Sequence, residues 1–174
     1  MWTTTDSPVG ELRIVEQQGS VVAVDFVGPM PAEGPRTSSM VVAAARADGR
    51  PLGDRDESVP VLREAVGQLT AYFARDLKEF DLPLDPHGTD FQRRVWDQLR
   101  RIDYGQTASY GEIAARLGMT GHAARAVGLA NGRNPIPVII PCHRVVGSDG
   151  SLTGYGGGIE RKQLLLDLEI DALF

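Results

Sequence analysis

The sequence predicts an α+β chain in two parts: an antiparallel β-meander closed by one helix, then a mainly helical half containing a helix-turn-helix. Three observations predict it. Residues 1–27 form short runs rich in β-branched side chains between turn residues. An apolar period of about 3.6 residues begins after Pro60 and returns after Thr89. Ser109 and Glu112 then make a capping box ahead of two short helical segments separated by Gly118–Gly121.

In the first part, Trp2–Thr5 reads as a strand and Ser7-Pro8-Val9-Gly10 as its turn. Leu12–Glu16 is the second strand, Gln17–Ser20 the next turn, and Val21–Val27 the third strand. Residues 28–58 have loop composition, with Gly28-Pro29-Met30-Pro31 and Gly34-Pro35, around a short strand or helix near Met40–Arg46. Pro60 suits the first position of a helix, and Val61, Leu62, Ala65, Leu69, Tyr72 and Phe73 recur on one face. Residues 76–88 read as extended, because Phe80, Leu82 and Leu84 alternate against Asp81 and Asp85. Pro86-His87-Gly88 marks the boundary between domains 1–86 and 87–174.

In the second part, Thr89 caps a helix whose apolar face is Phe91, Val95, Leu99 and Ile102. A helix is expected from Tyr110 to about Leu117, and another from His122 to Ala130, closed by Asn131-Gly132. Ile136-Pro137-Val138-Ile139-Ile140 reads as a buried strand leading into Pro141-Cys142-His143-Arg144-Val145-Val146. A glycine-rich loop covers 147–158. A last helix, about Ile159 to Ile170, carries Leu164, Leu165, Leu168 and Glu169.

Composition sets limits on function. Apolar residues make up 42% of 174 residues, enough for a core without a disulfide or metal staple. The lone Cys142 excludes an internal disulfide and a cysteine-built zinc site. His87, His122 and His143 lack metal-ligand spacing, so neither metal nor cofactor is expected. Met1–Gly10 has no signal-peptide pattern, and the longest apolar run, about Ile136–Pro141, is far short of the roughly 20 residues of a membrane span. A cytoplasmic protein, with no membrane partner, is the expectation. The net charge of −5 is uneven. Residues 89–162 carry 10 basic and 6 acidic side chains, a net of +4 inside an acidic chain. That block fits a modest phosphate-binding surface, although ordinary charge scatter gives the same number.

Cys142 reads in two ways. A lone cysteine after an apolar run is commonly a buried, inert thiol. Against that, Pro141 fixes the backbone before it, His143 and Arg144 follow it, and a glycine-rich loop comes next. A nearby imidazole or a short helix start can lower a thiol from about 8.5 into the range of roughly 3.5–7.5.

Pro141–Val146 resembles the acceptor-cysteine signature of the O6-alkylguanine-DNA alkyltransferase (methylated-DNA–protein-cysteine methyltransferase) family. Further matches follow the family's order. Tyr110-Gly111-Glu112 resembles the start of its helix-turn-helix, and Ala123-Ala124-Arg125-Ala126-Val127-Gly128 its recognition helix. Asn134-Pro135 resembles the approach to the acceptor, Gly154-Tyr155-Gly156-Gly157-Gly158 the loop over the base pocket, and Leu165–Glu169 the closing helix. The resemblance is strong from Thr89 to Glu169 and weaker over 1–88. It implies a ribonuclease-H-like sheet domain followed by a winged-helix or helix-turn-helix-like one.

The resemblance also implies a function: repair of duplex DNA by direct reversal, moving an alkyl group from O6-alkylguanine, and from O4-alkylthymine as a further substrate, irreversibly to Cys142. His143 would take the thiol proton through an ordered water, and Glu169 would hold the His143 tautomer. Tyr155 would donate toward the leaving guanine, and Asn134 would tie the acceptor segment to the recognition helix. Backbone groups of Cys142 and Val145, with Gly156 where some relatives carry serine, would read the flipped base. Arg125 would fill the gap left by that base and Tyr110 would press on its phosphate, with Ala123, Ala124, Gly128 and Ser148 also at the DNA. The small residues matter because a helix about 10–12 Å across must approach a minor groove about 6 Å wide. A monomer is expected, with cooperative binding left open.

Each residue has a plainer reading: Glu169 as a solvated helix-end acid, Tyr155 as a loop aromatic, Asn134 as a turn residue, the small-residue face as helix packing. Two other functions compete. One is a cysteine hydrolase using Cys142 and His143, for which no oxyanion-hole motif is evident. The other is a non-catalytic lesion-sensing module, disfavoured by the presence of Cys142.

Overall fold

Strands β1 (Trp2–Thr5), β2 (Leu12–Gln17) and β3 (Ser20–Phe26) form an antiparallel sheet in chain order. The β2–β3 hairpin closes through Gln18 and Gly19, both at positive φ (52° and 81°), the conformation a two-residue turn needs to match strand twist. A bulge between Val15 and Glu16 breaks the β2–β3 register. The computed structural model describes residues 1–28, 30 and 49–171. The strand or helix expected near Met40–Arg46 lies outside the described residues.

Helix α1 (Pro60–Phe73) starts with proline as expected and packs Leu62, Ala65, Leu69 and Tyr72 against the sheet. Each fully buried leucine there stabilises the unit by roughly 1.5–3 kcal/mol. Val15, Val22, Ala23 and Leu52 form a buried cluster against which Trp2 packs. The expected extended segment over 76–88 pairs only around Leu84, where Val21 donates to Pro83 and accepts from Asp85, each at 2.9 Å. Before that, Phe80 leaves the extended path and packs on Tyr72, ring centroids 5.2 Å apart. The chain divides into two compact units, Met1–Asp85 and Pro86–Phe174.

In the second unit, α2 (Asp90–Leu99) is capped by a reciprocal Thr89–Gln92 box and buries Val95, Trp96 and Leu99. A Cβ at Gly88 would lie 2.4 Å from the Trp96 ring, so the chain can approach α2 only with glycine there. After β4 (Ala108–Ser109), α3 (Tyr110–Arg116) begins at the expected Ser109–Glu112 box. The next helix, α4 (Ala123–Gly132), runs through Asn131 and Gly132 instead of ending before them. Trp96 Nε1 donates to Ala130 O at 2.9 Å and holds α2 to α4.

The expected strand over 136–140 is a buried turn. Pro137 has no N–H, and Val138 takes φ +72°. The backbone groups a ladder would need are bonded locally. Asn134 Oδ1 accepts from Ile136 N (3.0 Å), Asn134 Nδ2 donates to Ile140 O (2.8 Å), and Ile140 N donates to Ile136 O (2.9 Å). The chain then makes a 3-10 turn at Cys142–Arg144, enters β5 (Val145–Val146), which pairs parallel with β4, and ends in α5 (Ile159–Asp171). Among the described residues no helix is long and apolar enough to cross a membrane.

Candidate active site and nucleic-acid interface

The 3-10 turn places three consecutive reactive or charged side chains, Cys142, His143 and Arg144, inside the second unit, all buried. The backbone is not extended there, so successive side chains fan out about 120° apart instead of pointing to opposite faces. Cys142 N donates to Ile140 O at 2.8 Å, and Cys142 O accepts from Asn131 Nδ2 at 3.3 Å.

Glu169 is fully buried, which rules out the solvated helix-end reading. Its Oε1 lies 2.8 Å from His143 Nε2 and accepts from Arg144 Nη2 at 2.9 Å; its Oε2 accepts from Arg144 Nε at 3.0 Å and Gly105 N at 3.4 Å. Arg144 Nη1 donates to Ile102 O at 2.6 Å, and its guanidinium stacks 5.7 Å from the Tyr104 ring centre. Burial alone would raise the Glu169 carboxyl, but hydrogen bonds and charge from His143 and Arg144 outweigh it and hold it at about 2. An ionised carboxylate only accepts, so His143 Nε2 carries the proton that it donates to Glu169. Burial, opposed by Glu169, lowers the imidazole, so the ring is neutral at neutral pH. Its Nδ1 is then a basic nitrogen, buried and without a protein hydrogen-bond partner.

The thiol departs from the low value its neighbours in sequence suggested. Burial pushes Cys142 up to about 11, against the smaller opposing pull of the Asn134 amide, Lys162 and nearby backbone N–H groups. Tyr155 is also buried, and burial followed by the charge of an ionised Cys142 keeps its hydroxyl protonated well above 10. Asn134 is half-buried at the turn before the acceptor, bonding the backbone as described. Val145 is buried in β5, and Gly156 is exposed, where a Cβ would stand 3.7 Å from Gly132 O at the end of α4.

On α3 and α4, Arg125 is exposed, Ala124 and Gly128 are half-buried, and Ala123 is buried, so Ala123 has little surface for a nucleic acid. The Tyr110 ring lies against Gly128, where a Cβ would meet it at 3.6 Å. Tyr110 Oη donates to Thr153 O at 3.0 Å. Ser148 is exposed after β5. Arg93, Arg94, Arg101, Arg116 and Arg133 are also exposed on this unit.

Three residues here were not singled out from the sequence. In the sequence Arg144 is only polarity beside the thiol, and Asn131 has the residue type of a helix stop. Lys162 adds to the positive charge of the 89–162 block, yet it is fully buried, with Nζ donating to Val145 O at 2.5 Å and Thr153 O at 3.0 Å. One signal was available: Lys162, Leu165, Leu166 and Glu169 recur at helical spacing on one face of α5.

A helix-turn-helix unit enclosing a single thiol, with an imidazole and an ionised carboxylate behind it, defines a class of thiol-bearing helix-turn-helix proteins. Comparison with known proteins narrows it. Residues 1–86 match the family model for the ribonuclease-like domain of 6-O-methylguanine DNA methyltransferase, and 90–170 match that for its DNA binding domain. The chain is 67% identical over 105 residues to a methylated-DNA–protein-cysteine methyltransferase of Mycobacterium bovis, a match spanning 60% of this chain and 63% of that protein's length. It is 56% identical over 113 residues to the protein of that name from Methanosarcina acetivorans, spanning 65% of this chain and 72% of that one. Over 98% of this chain and 93% of the other, the structure is similar to that of Mycobacterium tuberculosis OGT in complex with DNA (47% identity, TM-score 0.79). The chain belongs to the 6-O-methylguanine DNA methyltransferase family.

Proposed function

We propose that this protein repairs duplex DNA by direct reversal, transferring the alkyl group of O6-alkylguanine, with O4-alkylthymine as a second substrate, to Cys142 once per molecule. The observation that carries the proposal is the polarity of the His143–Glu169 pair. The ionised Glu169 accepts from Nε2 at 2.8 Å and so leaves Nδ1 as the base, next in sequence to a thiol that burial keeps protonated. With Cys142 near 11, only about one thiol in ten thousand is ionised at pH 7, so transfer requires a base at the site.

The steps balance. DNA binds through the α3–α4 face of the domain over residues 87–174; Arg125 enters the stack as the damaged nucleotide flips out, and Tyr110 presses on its phosphate. Ala124, Gly128 and Ser148 line the approach. His143 Nδ1 takes the Cys142 proton through a water. The sulfur forms a bond to the alkyl carbon as the bond from that carbon to guanine O6 breaks. The proton lost by the thiol is regained by the departing base, with Tyr155 donating a hydrogen bond to it as charge develops. Cys142 and Val145 backbone groups and Gly156 recognise the base. The product is a thioether, whose carbon–sulfur bond thiol exchange does not reverse, so each molecule acts once. No cofactor enters these steps. A lone free thiol suits a reducing, cytoplasmic setting.

Intact mass after incubation with a duplex carrying one O6-methylguanine tests this. The expected result is a gain of one methyl group, saturating at one per chain and absent in Cys142→Ser. Tight binding with no mass change would sink the transfer and leave a lesion-sensing module.

A further inference from the structure

Lys162 is a buried ammonium that the steps above leave unused. Burying a charge is costly unless partners hold it. No carboxylate pairs with Lys162 among the described residues; two backbone carbonyls hold it instead, Val145 O at 2.5 Å and Thr153 O at 3.0 Å. The Thr153 carbonyl also accepts from the Tyr110 hydroxyl at 3.0 Å, and Lys162 Nζ sits 6.0 Å from the Tyr110 ring centre. Tyr155 follows Thr153 by two residues and is buried against Cys142. One carbonyl therefore joins the first residue of α3 to the loop that carries Tyr155, and one ammonium joins that loop to β5.

We propose that Lys162 is a positioning residue that couples Tyr110 of the helix-turn-helix to the acceptor site by clamping the Val145 and Thr153 carbonyls together. The inference rests on the alkyl-transfer reading. Contact of Tyr110 with duplex holds Thr153 in place; Lys162 carries that constraint to the β5 carbonyl beside the base and fixes the Tyr155 loop over the thiol. The ammonium also favours the ionised sulfur, as the mutual electrostatic pull between Lys162 and Cys142 indicates. A lysine that only braced the fold would lower stability without altering the chemistry of molecules that remain folded.

The test is single-turnover transfer from an O6-methylguanine duplex, read by mass over a range of duplex concentrations and from pH 6 to 9. Lys162→Met is expected to lower the saturating rate at pH 7 by roughly tenfold or more and to move the rate–pH curve to higher pH, one pKa unit corresponding to tenfold. The duplex concentration giving half-saturation should barely move. Tyr110→Phe, which keeps the ring, should lower the saturating rate as well as weaken binding, and the double variant should lose less than the two effects multiplied. A folded Lys162→Met with the wild-type saturating rate at every pH overturns the coupling. So does a Tyr110→Phe that changes only half-saturation, and this second variant decides if Lys162→Met gives no cooperative melting transition. Wild-type protein that gains no methyl sinks the transfer reading and the coupling with it; a methylating wild type with an unaffected Lys162→Met sinks the coupling alone.

Discussion

Replacing Glu169 with glutamine removes a charge while nearly preserving shape, and the structure gives the cost. His143 Nε2, Arg144 Nε and Nη2, and Gly105 N all donate to this carboxylate. An amide puts an NH2 against donors whichever way it turns, and it leaves the buried Arg144 without a counter-charge. The gap between the folded value of about 2 and the ordinary 4.5 corresponds to about 3 kcal/mol. The sign follows from the depressed value: this stability is present above pH 4.5 and is lost as pH falls through 2. Glu169→Gln should therefore be about 3 kcal/mol less stable than wild type at pH 7, and the difference should shrink by about 2 kcal/mol at pH 3. Urea unfolding followed by circular dichroism at both pH values, with unchanged slope, measures it. Transfer by the folded variant should slow by roughly 10²- to 10⁴-fold, since His143 loses the partner that selects its tautomer. A variant as stable as wild type at pH 7, or a deficit that is the same at pH 3, would refute the assignment of Glu169 as a buried, ionised acceptor.

Two further outcomes are expected. Arg125 is exposed and its side chain is bonded to nothing among the described residues. Arg125→Ala should change stability by less than about 0.5 kcal/mol yet slow transfer from duplex by roughly tenfold or more, since the proposed role puts its side chain in the step that the flipped base vacates; an unchanged rate at saturating duplex removes it from the flipping step. Cys142, raised from 9.0 to about 11 and buried, should react with iodoacetamide at pH 7 at least ~100-fold faster in urea than when folded. Similar rates would show an exposed or ionised thiol.

What was legible in the sequence was what a few neighbouring residues decide. Alternation and the Gln17–Ser20 turn marked the meander, Pro60 marked the start of α1, and the Thr89 cap and the Ser109–Glu112 box marked α2 and α3, each within four residues. What distant groups decide was not legible. An apolar run such as Ile136–Ile140 suits a strand or a buried turn equally well, and the Asn134 side chain, which uses the run's own backbone groups, settles it. Asn131 has the residue type of a helix stop, yet α4 continues through it while its amide bonds Cys142 O. At the site, Cys142, His143 and Glu169 stood out by resemblance. The thiol's direction of shift did not follow from its neighbours, because burial outweighs any benefit of an adjacent imidazole. Arg144 and Lys162 counted toward a basic surface although both are inside, which weakens net charge as a guide to the DNA face.

The proposed chemistry should also change the protein that performs it. Cys142 is 4% exposed, with Asn131 on its carbonyl and Asn134 and Tyr155 at its sulfur. A methyl group on that sulfur enters a packed interior, where one extra methyl-sized group typically costs about 1–3 kcal/mol. For a chain of this size, each kcal/mol lowers the melting temperature by about 2–4 °C, which predicts a drop of roughly 2–12 °C. The measurement is calorimetry of one preparation before and after it has gained one methyl per chain, with the repaired duplex removed by high salt. Equal melting temperatures would mean that the pocket already holds room for the group. A higher melting temperature would mean that the free site is strained, and either result would refute the view of Cys142 as a packed acceptor disturbed by its own product.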